Sequence, residues 1–228
     1  MKRPLAIVVS LSLFSFVLAN EPAPPKTQQL QPTKLISAEK FADQSAFGVK
    51  GKPGANGWRA GIGEWTIVDG AAYEKSERPS EKRPNGHEAV CEVVTDLGDL
   101  VLTGEFKLGD SPQVGFVCRD TNQPNHHLGR VVITPKAIWI QKMSGIAKET
   151  RREELTRVAA EIDPKAWHTV TVEVSGDRWI ARIDDITLEA QHERFADRKG
   201  RVGMVARGDG AQFRNLALWD AKQPEAAK

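Results

Sequence analysis

Apolar and polar residues alternate with period two over most of the chain. In Thr169–Val174, "TVTVEV", the valines at 170, 172 and 174 take one face, and Thr169, Thr171 and Glu173 take the other. "DLVLTGEFKL" places Leu100, Leu102, Phe106 and Leu108 on one side and Val101, Thr103, Glu105 and Lys107 on the other. "WTIV" and "AAYE" flank Asp69-Gly70, the signature of a hairpin with a two-residue turn. Gly176-Asp177 turns the chain again before "RWIARID". Further strands are predicted near 88–94, 113–119, 130–134, 137–142, 201–207 and 212–219. Asp184-Asp185 reads as a tight turn.

One stretch departs from this period. In "TRREELTRV" Thr150 precedes Glu153 by three residues, the spacing of a capping box, and Leu155, Val158 and Ala159 follow at helical offsets. A short helix or a charged loop is expected there, with a solvated crossing between sheets preferred. Many short strands punctuated by Gly and Asp turns predict an all-β antiparallel β-sandwich.

The ends of the chain read differently. Lys2 and Arg3 precede an apolar run, Leu5–Leu18, and Ala19 closes it with a small residue, the pattern of a secretory signal peptide. The run is short for a membrane span. Cleavage after Ala19 would export the protein to the periplasm or medium and leave no stable membrane insertion. It would also remove two positive charges and take the formal charge from +2 to zero, so no field steers the mature chain onto nucleic acid or anionic lipid. Residues 20–34 are rich in Pro and Gln and are expected to be a disordered linker. Residues 35–221 form the expected sandwich domain, and residues 222–228 a frayed tail.

Three segments together resemble a known family. "GEWTIVDGA", "PKAWHTVTVEVSGDRWIARIDD" and "KGRVGMVARGDGAQFRNLALWDA" are similar, in order and spacing, to the 3-keto-disaccharide hydrolase-like domain family. The resemblance covers most of 63–221. It implies a secreted bacterial domain with a concanavalin A-like (jelly-roll) sandwich and a carbohydrate ligand. Two functions follow as expectations: a hydrolase- or lyase-like enzyme acting on 3-keto-disaccharides or related glycosides, and a non-catalytic sugar-binding or structural envelope module. The strand "QVGFVCRD" keeps Gly115 and Arg119 but lacks the family's Asn-Ser, and "HHLGRVVITP" stands where the family carries a Gly-Tyr-Glu-x-Gln strand.

Several familiar chemistries fail on spacing. Glu161-Ile162-Asp163 has Ala166 where a second catalytic Glu of the sandwich glycosidases would stand. His87-Glu88 and His192-Glu193 lack the second His of a zinc protease. Neither a metal site nor a cofactor is identified, and the oligomeric state is left open.

The best candidate site surrounds "GFVCRDTNQPNHHLGRVVI". The short connection Gly109–Pro112 predicts that the strands before and after it are antiparallel neighbours, so Glu105 and Arg119 would share one open face. Asp120, His126 and His127 would edge it, and Arg130, Trp139 and Gln141 would extend it, because Ile138 and Ile140 claim the core side. Glu105 or His127 would act as base, and Arg119 would stabilise a negative oxygen. Trp58 lies in a Gly-rich stretch that could border a ligand, although packing is the favoured reading. Cys91 and Cys118 both fall on core parity, and export would permit a disulfide.

Overall fold

Two-residue turns set the frame. Asp69 and Gly70 both adopt left-handed backbone (φ 51° and 71°), the geometry whose twist matches the strands it joins. Gly176 (φ 51°) and Asp184 (φ 48°) start two further tight turns. A computed structural model describes residues 21–49, 51–122 and 126–225 of the chain. The proposed signal peptide lies outside the described residues.

Fifteen strands follow in order: β1 (Gln31–Glu39), β2 (Trp58–Ile62), β3 (Glu64–Val68), β4 (Ala71–Lys75), β5 (Ala89–Leu97), β6 (Leu100–Lys107), β7 (Gln113–Asp120), β8 (His127–Ile133), β9 (Ala137–Ser144), β10 (Arg151–Ala159), β11 (His168–Ser175), β12 (Arg178–Ile183), β13 (Ile186–Gln191), β14 (Lys199–Arg207) and β15 (Asp209–Lys222). They form two antiparallel sheets. The eight-stranded sheet runs β13-β12-β11-β6-β15-β4-β3, with β1 also on β15, and the seven-stranded sheet runs β10-β9-β8-β7-β14-β5-β2. The architecture is the expected jelly-roll sandwich.

The alternation read from the sequence fills the space between the sheets. Leu100, Leu102, Phe106, Val170, Val172, Val174 and Trp179 meet Val114, Phe116, Val131, Ile138, Ile140 and Met204 in one core, each almost wholly buried. Trp58 is fully buried against Phe41 in this core, which is the packing role favoured from the sequence. Phe106 and Phe116 touch edge to face across the interior, 6.2 Å between centroids.

Four expectations are corrected. The capping-box stretch is strand β10, paired with β9 from Arg151 to Ala159. A bulge between Glu154 and Thr156 shifts its phase, which is why Leu155 and Val158 fall at helical spacing while both pack on the core. The linker is ordered in its second half: β1 starts at Gln31, and Leu30 is buried with Val101, Ala217 and Trp219 on the outer face of the eight-stranded sheet. The backbone N–H groups of Gln28, Gln29 and Leu30 all donate to the Glu173 carboxylate, at 2.7, 2.9 and 3.0 Å. A polar segment without a core of its own is thus held by one buried anion, which composition does not reveal.

The third correction concerns topology. β6 pairs with β11 and β15, whereas β7 pairs with β14 and β8. The connection Leu108–Pro112 therefore crosses from one sheet to the other instead of making a hairpin. Gly109 permits this arch: it has φ 60°, and a Cβ would lie 2.2 Å from the Gly210 carbonyl oxygen. Fourth, Cys91 and Cys118 are free thiols. They sit on β5 and β7 with β14 between them, a separation of about 10 Å at ordinary strand spacing, beyond the roughly 7 Å a disulfide spans. Burial pushes the Cys118 thiol up to about 12.

Candidate functional site

On the seven-stranded sheet the residues that do not face the core form a charged outer face. Cross-strand pairing aligns them in rows. Arg201 (β14), Arg119 (β7) and His127 (β8) lie in one row. Glu92 (β5), Gly203 (β14), Val117 (β7), Arg130 (β8), Gln141 (β9) and Glu154 (β10) form the next. Val90, Val205, Gly115, Val132, Trp139 and Arg157 form a third.

Glu92 organises the first two rows. It is 3% exposed and binds three arginines: Arg59, Arg119 (2.9 Å) and Arg201 (3.2 Å). Arg201 and Arg119 stand directly opposite each other, an arrangement of like charges that costs energy unless a shared anion offsets it. Gly203 leaves the space: a Cβ there would meet the Glu92 Cβ at 2.7 Å and the Cys91 carbonyl oxygen at 2.2 Å.

Glu88, just before β5, is the second anchor. It accepts from Arg130 at 2.8 Å and from Gln113 at 3.2 Å, with Arg207 at 3.5 Å. Burial raises the Glu88 carboxyl, and Arg130, with Arg207 and Arg152 behind it, reverses this and holds it below the usual glutamate range. Val90, Val117 and Val205 form a small buried apolar cluster on this outer face. Beside it opens a cleft of about 530 Å³ lined by the 76–79 and 85–88 loops, Arg152, Arg207 and Gly208.

His127 is half-buried, with an Arg119 guanidinium nitrogen 3.4–3.5 Å from its ring nitrogens. Burial first, then Arg119, Arg130, Arg152 and His87, bring its pKa down to about 3, so the imidazole is neutral at neutral pH. Trp139 donates from Nε1 to Gln141 Oε1 at 2.9 Å, and the Arg157 guanidinium lies 4.1 Å over its ring. That bond turns the Gln141 amide so that its Nε2 is buried with no partner among the described residues, and Arg130 Nε is likewise unpaired.

The structure thus brings together five of the residues expected from the sequence: Arg119, His127, Arg130, Trp139 and Gln141. It removes three. Glu105 lies on the opposite sheet, bonded to Arg214 (2.8 Å) and Asn215 (2.7 Å), because the arch after β6 changes sheets. Asp120 takes the core parity of β7, 5% exposed, and its carboxylate meets Arg194 at 3.4 Å and the Asn122 N–H at 2.7 Å. His126 accepts the Asp120 N–H through its carbonyl, and among the described residues none of the face's hydrogen bonds involves its ring. Arg119 does face away from the core, but it is 7% exposed rather than open. Its side chain holds Glu92 and borders His127.

The residues that sequence reasoning missed are Glu88, Glu92, Arg59, Arg152 and Arg201. The signal was present for Glu92: in "AVCEVV" it is the one charged residue inside an apolar run. A carboxylate at the outward parity of a central strand requires cationic partners, which only the strand order supplies. Other polar residues are structural. His168 bonds the Asp163 carbonyl and the Asp184 carboxylate, and His192 caps the turn Glu193–Ala196.

Comparison with known proteins agrees with the architecture. A family model described as 3-keto-alpha-glucoside-1,2-lyase-like domain matches residues 44–218. Among solved structures, the carbohydrate-binding module CBM66 from Bacillus subtilis superposes with a TM-score of 0.56 at 13% identity, over 72% of this chain and 96% of that one. A Bacillus subtilis protein of unknown function with a galectin-like fold gives 0.57 at 10% identity, over 86% and 100%. The CBM2 module of the evolved Dit of Lactobacillus casei BL23 phage J-1 gives 0.51 at 9% identity, over 85% and 100%. No curated protein matches the sequence significantly.

Proposed function

Because the chain belongs to the 3-keto-alpha-glucoside-1,2-lyase-like domain family, we propose that its function is carbohydrate-related and that the outer face of the seven-stranded sheet holds the sugar. The observation that carries this is the pre-set donor array beside an aromatic ring. Arg119 and Arg130 are fixed by buried carboxylates, and Gln141 is fixed by Trp139. Groups held in place before binding lose little freedom on binding, and the hydroxyl and carbonyl oxygens of a sugar are acceptors for them.

Recognition is the first reading. Both buried carboxylates of the face are already bound by arginines, and an imidazole with a pKa of about 3 accepts protons weakly at neutral pH. The family supports a second reading, elimination on a 3-keto glycoside. In that reaction the C–H beside the keto group would give its proton to neutral His127. The electron pair would move onto the keto oxygen, held by Arg119, and return to form a C1=C2 double bond as the glycosidic C–O bond breaks, the departing oxygen taking the proton back from His127.

Two substitutions test the location. Trp139→Ala should weaken sugar binding by about tenfold or more, a loss of about 1.4 kcal/mol, measured by calorimetry on a ligand taken from a glycan array. Glu105→Gln, on the other sheet, should leave affinity unchanged. The reverse pattern sinks the assignment. Product release from 3-keto-disaccharides, lost in His127→Ala, would replace the first reading by the second. We infer in addition that the chain is exported with cleavage after Ala19. An intact mass beginning at Asn20 supports this, and retention of Met1–Ala19 refutes it.

A further inference from the structure

The charge of the proposed sugar face is unbalanced. Glu92 is shared by Arg59, Arg119 and Arg201, and Glu88 by Arg130 and Arg207. Arg152 projects into the adjoining cleft beside His87 and Glu88 and forms no ion pair among the described residues. Six arginines therefore face Glu92 and Glu88; Glu77, which also lines the cleft, is paired with Arg83, and the Arg157–Glu154 pair nearby is neutral. Besides Arg59 Nε, two buried polar atoms here lack a partner among the described residues, Gln141 Nε2 and Arg130 Nε, and both are donors. They belong to cross-strand neighbours, since Arg130 pairs with Gln141, and both residues are 5% exposed. Buried donors without acceptors carry a desolvation cost that an incoming acceptor relieves.

We propose that the ligand of this face is an acidic sugar, with its carboxylate held between Arg152 and Arg130 and its ring oxygens meeting Gln141. This rests on the reading that the face takes a sugar and adds the class of sugar. A neutral glycan would satisfy the hydrogen-bond donors but leave the excess positive charge unmatched. Planar guanidinium groups match a carboxylate in shape as well as charge.

The test is NMR titration of the mature protein with methyl β-D-glucuronide, methyl β-D-glucoside and sodium acetate, following the Trp139 indole and Gln141 amide signals. The glucuronide should bind at least tenfold tighter than the glucoside. That advantage should shrink to threefold or less in Arg152→Gln and should fall as salt rises from 50 to 500 mM. Arg152 is exposed, so this variant keeps its fold, confirmed by an unchanged melting temperature. Equal affinity for glucuronide and glucoside overturns the inference and leaves the sugar face standing. Acetate binding as tightly as glucuronide also overturns it, because the site would then recognise an anion and not a sugar acid. Failure of all three ligands to move either signal overturns both the inference and the location of the site.

Discussion

Replacing Glu92 by Gln should be one of the most damaging single substitutions on the outer face of the seven-stranded sheet. The change keeps volume and removes one charge, so packing is nearly constant. What is lost is the anion between three guanidinium groups. The side chain of Arg119 is 9% exposed, and those of Arg59 and Arg201 are 20% and 21% exposed. Water can partly take over for the last two, and each pair then contributes about 0.5–1 kcal/mol. It cannot do so for Arg119, and removing one partner of a buried pair costs about 3–5 kcal/mol. The expected loss is therefore about 4–7 kcal/mol, or a fall in melting temperature of about 10–20 °C for a domain of this size. Urea denaturation at pH 7, read by tryptophan fluorescence, measures it as a shift in midpoint at constant slope. Adding Arg119→Met to Glu92→Leu removes both buried charges and should recover at least half of the loss. A decrease below about 1 kcal/mol in Glu92→Gln, or no recovery in the double variant, would refute the account of Glu92 as the anchor of the face.

Two further predictions address the rest of the molecule. Glu74 has no exposed surface, and burial first, then Asp209, brings its pKa up to about 7, against the Ala211 N–H that opposes the shift. A carboxyl whose folded pKa lies above its unfolded value near 4.5 contributes most below pH 4.5 and destabilises progressively up to pH 7, by about 3 kcal/mol in total. Glu74→Gln should flatten stability between pH 5 and 8 in urea melts, and an unchanged slope would contradict this. Glu173→Ala should free the amides of Gln28, Gln29 and Leu30, which would exchange with deuterium far faster at a global cost of about 2 kcal/mol; retained protection would mean that Leu30 packing alone holds the segment.

The sandwich was legible in the sequence because its core strands alternate with few interruptions. Leu100–Leu108, Val170–Val174 and Ile138–Ile140 each announce their inward face locally. The same parity correctly turned Trp139 and Gln141 outward. What sequence could not reveal was which strands are neighbours. Gly109–Pro112 is short enough for a hairpin, yet the same length serves an arch between sheets, and that one difference separates Glu105 from Arg119. Glu92 was hidden for a related reason. Its partners come from β2, β7 and β14, distant in sequence, and no local spacing encodes them. β10 was misread because a bulge imitates a helical period.

The Glu173 clasp also decides how the domain is presented. Residues 26–30 run along the back of the molecule, where Lys26 accepts from Arg182 and Gln28 reaches Thr187, and β1 lies beside them on β15. Lys26 therefore lies on the side opposite Arg130, Trp139 and Gln141. A handle fixed at this end points the proposed sugar face outward, so immobilising the protein by its N-terminus should leave that face accessible to a large polysaccharide, with the back of the sandwich turned toward the support.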